Sequence, residues 1–259
     1  MNQSGGGGAP RADVLTHLRT FLGPSPGRLA GAGAFEVHVF GPSHPRPWLT
    51  LATLGLCEFD LAPPDDDPDR RYQELLLYLP ADWDITSTDP ATQWPVHLLI
   101  DLARHMSEQQ RAPVPGQSVA LQRPPEPFAP HTLLSAALLN DAAREQRAHP
   151  EFDPFFVGVQ AVRFLWVIPI TTAENTLLAK EGYDALLQLM AEARLPYELE
   201  AGRACLVTGR TPRIEAAAAE APAAEAPAPE APAPDSPASA PPAPAPPAPA
   251  ARRRRLFGR

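Results

Sequence analysis

The sequence predicts an α+β domain with a single mixed, mainly antiparallel sheet, helices packed on that sheet, and a disordered tail rich in proline and alanine. Three observations support this prediction. Strand-like runs alternate with amphipathic helical runs over most of the chain. The first strand-like runs are joined by connections too short for a helical crossover, which favours antiparallel pairing. The composition changes sharply after Arg213.

The composition divides the 259-residue chain into four segments. Residues 1–10 are polar and glycine-rich and are predicted to be disordered. Residues 11–213 are predicted to form one domain, which is long enough to bury a sizeable core. Residues 214–251 combine alanine, proline and regularly spaced acidic residues, a composition typical of a disordered linker. Residues 252–259, RRRRLFGR, form a basic C-terminal motif.

The hydrophobic pattern places the elements in order along the domain. Helices are predicted over 13–22, 94–109 and 183–193, and strands over 35–40, 48–57, 72–79, 133–139 and 158–170, with a short edge strand at 205–207. Pro95 fits the first turn of the second helix, so that helix is predicted to begin near Trp94. The apolar run from Leu75 predicts that 72–79 is a central strand covered on both faces.

The net charge and the cysteine content indicate which partners and which cellular compartment are expected for the chain. A formal net charge of -8 repels phosphate backbones, so the domain is not expected to bind nucleic acid. The chain shows neither a signal-peptide pattern nor an apolar run that would span a bilayer, and a cytoplasmic monomer is predicted. Cys57 and Cys205 are predicted to be free thiols, with a disulfide between them as the alternative.

The sequence lacks the motifs of common enzyme classes. There is no G-x-S-x-G elbow, no phosphate-binding glycine loop and no H-E-x-x-H, so neither a metal nor another cofactor is predicted. His97, Asp101 and His105 share one face of the main helix, a spacing that suits proton transfer or metal coordination. The alternative is that His97 has a structural role, because it lies at the boundary of the apolar stripe of this helix. A small metal-dependent or hydrolytic enzyme that uses these three residues is therefore the alternative function.

The segment from Pro124 to Thr132, PPEPFAPHT, connects the main helix to the next strand. Its prolines exclude helix and most sheet pairing, which predicts a stiff structural crossover. The alternative is that Glu126 and Phe128 form the lip of a binding cleft. The predicted partner-binding residues of the domain are Asp82, Trp83, Trp94, Glu126 and Phe128.

The basic C-terminal motif is a second candidate binding site. Its predicted contact residues are Arg252, Arg253, Arg254, Arg255 and Phe257. A long spacer that ends in a compact basic and aromatic motif is typical of a tether that recruits a partner. The alternative is a solvated low-complexity tail whose arginines merely offset the acidic residues of the linker.

Several motifs, taken in order, resemble the suppressor of fused family in its short, bacterial, single-domain form. They are LATLGL at 51–56, YQELLLYLPADW at 72–83, WPVHLLIDLAR at 94–104, PPEPFAPHT at 124–132, VIPITTAE at 167–174 and EGYDALL at 181–187. The resemblance implies a mixed α/β domain that binds other proteins and has no known catalytic residues.

The same resemblance implies a function for this chain. Animal members restrain a transcription factor by gripping a short peptide of it, and bacterial relatives resemble immunity proteins against toxins. The second domain of the animal proteins is not expected in this chain. The expected function is therefore a non-enzymatic module that sequesters a partner protein, with a toxin domain as one candidate partner.

Overall fold

A computed structural model of the chain describes residues 9–44, 46–64, 66–142 and 154–212. The helices are α1 (Ala9–Leu22), α2 (Pro90–Gln109), α3 (Thr172–Glu181) and α4 (Tyr183–Glu192). The strands are β1 (Gly27–Ala32), β2 (Phe35–Phe40), β3 (Trp48–Leu54), β4 (Tyr72–Pro80), β5 (Gln117–Val119), β6 (Leu134–Asp141), β7 (Phe155–Val157) and β8 (Gln160–Thr171). The predicted disordered tail, 214–259, lies outside the described residues.

The strands form one sheet in the order β1-β2-β3-β4-β8-β6-β5, and β7 pairs with β8 outside this path. The pairing of β4 with β8 is parallel, and the other pairings are antiparallel. The predicted α+β fold with a mixed, mainly antiparallel sheet is therefore confirmed. In the described part of the chain, no helix is long and apolar enough to cross a membrane.

Each face of the sheet carries its own apolar core, and β4 contributes to both. Leu75 and Leu77 pack into the cluster that contains the buried face of α2, whereas Leu76 and Tyr78 pack into the cluster that contains α1. Successive side chains of a strand point to opposite faces, so a strand buried on both faces reads as a continuous apolar run. The predicted central position of β4 is confirmed.

The structure corrects the predicted start of the main helix. α2 begins at Pro90 instead of Trp94, because the Asp89 carboxylate accepts a hydrogen bond from the Ala91 N–H and caps the helix. Pro90 takes the first helical position, and Pro95 lies inside the helix.

Two predicted strands also need correction. The predicted strand 158–170 is one strand, β8, but it begins two residues later, at Gln160, because Gly158, with φ of 62°, lies in the turn of a hairpin between β7 and β8. The edge strand predicted at 205–207 is wrong. Leu206 and Val207 lie in a turn that is closed by a hydrogen bond from the Gly209 N–H to the Cys205 carbonyl.

A buried carboxylate, Glu74, holds the turn that follows β3. Its oxygens accept hydrogen bonds from the Thr53 hydroxyl (2.6 Å) and from the N–H groups of Gly55 (2.8 Å) and Cys57 (3.2 Å). Burial raises the pKa of Glu74 to about 7, although these hydrogen bonds favour its charged form. Cys57 and Cys205 are buried free thiols, as predicted, and burial together with the nearby Glu74 carboxylate raises the pKa of Cys57.

Glu74 should make the domain less stable as the pH rises. Its folded-state pKa lies above the ordinary value of 4.5, so its contribution to stability is fully present below that value and is lost as the pH rises through about 7. We expect Glu74→Gln to remove this part of the pH dependence, since the amide nitrogen is able to donate to Thr53 Oγ1 while the amide oxygen keeps the backbone donors. Thermal unfolding between about pH 5 and about pH 8 measures the slope, and an unchanged slope in the variant would contradict the assignment.

A buried ion pair joins the segment after α4 to the start of α3. Arg203 donates through both terminal nitrogens to the two oxygens of Glu174, each at 2.6 Å. Glu174 also accepts a hydrogen bond from the Leu206 N–H (2.8 Å) and forms a capping box with Thr171. Burial alone would raise the pKa of Glu174, but the hydrogen bonds and charge of Arg203 lower it. The pair therefore anchors the segment around Arg203 to the first turn of α3.

Removing the arginine of this pair should destabilise the domain. Arg203→Ala leaves the Glu174 carboxylate buried without its cation, and we expect the free energy of unfolding to fall by about 3 to 5 kcal/mol. Arg210→Ala, an exposed change in the same segment, is the matched control and should alter it by less than about 0.5 kcal/mol. Urea denaturation measures the free energy of unfolding of both variants. Equal losses in the two variants would refute the stabilising role of the Arg203–Glu174 pair.

Candidate binding groove

A groove of about 420 Å³ lies between α2 and residues 121–128. This volume falls within the range typical of ligand sites. The larger apolar side chains of the lining are Trp94, Leu98, Leu121, Pro127 and Phe128, and the polar ones are His97, Asp101, Arg104, His105, Glu108, Gln122, Glu126 and Ser135.

The amphipathic pattern of α2 supplies one wall of the groove. Leu99, Leu102 and Met106 are buried in the core beneath the helix. Side chains three and four positions apart share a helix face, so the polar residues from His97 to Glu108 are left facing the groove. The polar face of the strongest helix is therefore one side of the site.

The proline-rich segment supplies the opposite wall, and Phe128 anchors it. The Phe128 ring stacks on Trp94 with ring centroids 5.2 Å apart and an interplanar angle of 16°. The Phe128 N–H donates to the Leu134 carbonyl (2.8 Å), and the Thr132 N–H donates to the Ala129 carbonyl (3.2 Å). Phe128 is half-buried, Glu126 is exposed, and the segment 124–132 contains neither helix nor strand, as its prolines predict.

Asp82 and Trp83 lie in a second hollow at the N-terminal end of α2. This hollow measures about 360 Å³ and is lined by Pro80, Asp82, Trp83, Asp84, Ala91, Thr92 and His131. Asp84 accepts hydrogen bonds from the Thr86 hydroxyl and N–H and from the Ser87 N–H, which lowers its pKa. The predicted residues of the domain thus divide between two hollows that are both bordered by α2 and by the segment 124–132. Their role in partner binding stays a prediction.

The residues of the alternative enzymatic function also line the groove. Asp101, however, accepts a hydrogen bond from Arg104 Nη1 at 2.8 Å and forms an ion pair with it. Within residues 9–44, 46–64, 66–142 and 154–212, no group of three histidine, cysteine or acidic side chains is placed to hold a metal ion. The other predicted contacts, Arg252 to Arg255 and Phe257, lie outside the described residues.

The sequence prediction did not include Arg104, Glu108 and Leu121 among the site residues. The helical spacing from Asp101 would have identified the first two, since positions three and seven further along share its face. Leu121 follows the short strand β5. The hydrophobic pattern of this three-residue strand is too short to predict on which side of the sheet Leu121 lies. The stacking of Trp94 on Phe128 is a tertiary contact without a local signal.

The family model described as suppressor of fused protein matches residues 31–202, which include every residue that lines the groove. The chain belongs to the suppressor of fused family. This confirms the resemblance drawn from the sequence motifs. The suppressor of fused family consists of regulatory proteins that bind protein partners.

Solved structures of suppressor of fused proteins share the fold at low sequence identity. A protein from Neisseria gonorrhoeae described as a homolog of suppressor of fused is 19% identical, with a TM-score of 0.53 over 76% of this chain and 96% of its own. A chain of the structure described as the Sufu-Fu complex is 12% identical, with a TM-score of 0.53 over 76% of this chain and 91% of its own. Drosophila suppressor of fused is 12% identical, with a TM-score of 0.50 over 71% and 47%. No curated protein matches the chain.

Phe128 should contribute less to stability than a core phenylalanine. Because its ring is only half-buried, we expect Phe128→Ala to lower the free energy of unfolding by about 1 to 2 kcal/mol. Phe164→Ala is the matched control: that ring is fully buried, and its loss should lower the free energy by about 3 to 5 kcal/mol. Urea denaturation measures both, and equal losses would mean that Phe128 serves as a core residue.

Proposed function

We propose that the chain is a non-enzymatic protein-binding module that sequesters a partner protein in the groove between α2 and residues 121–128. The observation that carries the proposal is the aromatic pair in the groove, in which Phe128 stacks on the buried ring of Trp94. Membership of the suppressor of fused family supports the same conclusion.

The segment that carries Phe128 suits this role energetically. Neighbouring prolines restrict its backbone, and its N–H is already bonded to the Leu134 carbonyl. An aromatic side chain that is ordered before binding loses little conformational entropy when a partner covers it. Such residues often dominate the free energy of binding at an interface.

A toxin domain is the candidate partner, as the short bacterial form of the family implies. The matched region corresponds to 96% of the Neisseria homolog and to 47% of the Drosophila protein. We propose that the chain acts as a monomer in the cytoplasm, where the buried thiols of Cys57 and Cys205 stay reduced.

A small metal-dependent or hydrolytic enzyme is the second candidate, because His97, Asp101 and His105 line one groove. The ion pair between Asp101 and Arg104 disfavours the enzymatic function, since the Asp101 carboxylate is already paired with the Arg104 guanidinium. Bound metal detected by elemental analysis of the purified full chain would favour the enzyme.

Capture of partners from the native host tests the binding function. The full chain is used as bait, and the captured protein is then titrated against the purified variants by calorimetry. We expect Phe128→Ala to weaken the affinity by about 30-fold, equivalent to about 2 kcal/mol. Phe156→Ser is the surface control, because its ring is 59% exposed on a hairpin outside the groove.

Two outcomes separate the possibilities. An unchanged affinity of folded Phe128→Ala would remove the groove from the binding function, and an equal loss in Phe156→Ser would indicate an unspecific effect. The basic C-terminal motif is proposed as a further contact. A bait in which Arg252 to Arg255 are replaced by serine should lose salt-sensitive partners, and an unchanged set of captured proteins would refute that contact.

A further inference from the structure

The charges around the groove identify the kind of partner that it fits. We propose that the groove binds a basic segment of the partner protein, in which arginine or lysine side chains alternate with apolar ones. This inference rests on the proposed function, because it assigns the partner to the same groove.

Carboxylates stand on both walls of the groove. Asp101 and Glu108 belong to α2, and Glu126 belongs to the opposite segment. Arg104 neutralises Asp101 at 2.8 Å, whereas Glu108 and Glu126 form no ion pair among the described residues. Among its carboxylate and guanidinium groups, the lining therefore has three carboxylates against one arginine.

The second hollow extends the same charge pattern. Asp82 and Asp84 line it beside the half-buried ring of Trp83, and neither lysine nor arginine is among its described lining residues. Potentials of one sign attract a partner of the opposite sign and suppress binding of like-charged ones. An acidic peptide or a nucleic acid is thus excluded by the same charges that favour a basic segment.

The apolar side chains between the carboxylates suit arginine and lysine in particular. Both residues lay their aliphatic stems on apolar surface while the charged end stays at the rim. Leu98, Leu121 and Phe128 offer such a surface within reach of Glu126 and Glu108. The Phe128 ring, stacked on Trp94, is only half-buried, and an exposed aromatic surface attracts a guanidinium.

The length of the groove sets the length of the segment. From Trp94 to Glu108 the helix rises by about 21 Å, at about 1.5 Å per residue. An extended peptide advances by about 3.3 Å per residue, so about six residues of the partner would fill the groove. A segment of this size has room for two or three basic side chains.

Fluorescence anisotropy with two synthetic peptides tests the inference on the full chain. Both peptides are about eight residues long and share their leucine and phenylalanine positions, but one carries arginines where the other carries glutamates. We expect only the arginine peptide to bind, with an affinity that falls as salt is added. Glu108→Lys combined with Glu126→Lys should weaken it by about tenfold or more.

A matched pair of charge reversals provides the control. Glu181→Lys combined with Glu200→Lys makes the same change in net charge at exposed positions outside the groove and should alter the affinity less than about twofold. Equal weakening by both pairs would reduce the effect to overall charge and overturn the proposal. Complete competition by spermidine at a concentration equal to that of the peptide would also overturn it, because a bare polyamine lacks the apolar contacts.

The natural partner distinguishes this inference from the proposed function. If its affinity falls with Phe128→Ala but not with the Glu108 and Glu126 reversals, the groove is the binding site and the basic-segment proposal is wrong. If neither change affects it, the proposed function itself fails.

Discussion

The parallel pairing of β4 with β8 is the constraint on which the rest of the structure depends. The register runs from Tyr72 opposite Val162 to Leu76 opposite Trp166, and it joins the antiparallel strands β1 to β4 to the pair β6 and β8. Two parallel neighbours need a long connection, since the chain has to return to the same end of the sheet. Residues 81–159 make this return, and α2, the segment 121–128 and both hollows belong to it or border it. The groove is thus a consequence of the connection that the central pairing requires.

α2 has two sides with different roles. One side packs on the sheet and contributes to folding, and the other is not required for that packing. Its apolar side packs on Leu75 and Leu77 of β4, whereas α1 and α4 pack on the opposite side of the sheet. Across the groove from the polar side of α2 lie residues 121–128, with Phe128 stacked on Trp94, and Ser135 of β6. Folding therefore determines the position of this wall of the groove. The identity of its exposed side chains is not constrained by packing, so these side chains are available for binding.

The sequence was sufficient where burial imposes a strong local pattern. β4 and α2 follow from a continuous apolar run and a helical stripe. β1 reads GRLAGA, with small side chains and no alternation, and β5 and β7 are three residues each, so neither length nor pattern identified them. α3 lacks an apolar stripe and is specified by the Thr171–Glu174 capping box, whose carboxylate depends on Arg203 from a distant segment. The same limit applies to the groove: Phe128 and Glu126 were recognisable as a rigid segment, but their position opposite Glu108 is a tertiary fact.

The buried and the exposed carboxylates of the domain have different requirements for partners. Inside the protein an unpaired charge is strongly destabilising, so Glu174 has Arg203, and Glu74 has three hydrogen-bond donors and a pKa raised to about 7. Glu108 and Glu126 are exposed and have no ion pair among the described residues, since water solvates them adequately. Folding does not require a negative charge at either position. Their placement on the two walls of one groove, around a stacked aromatic pair, is therefore the feature of the molecule that packing leaves unexplained and that binding of a basic segment would explain.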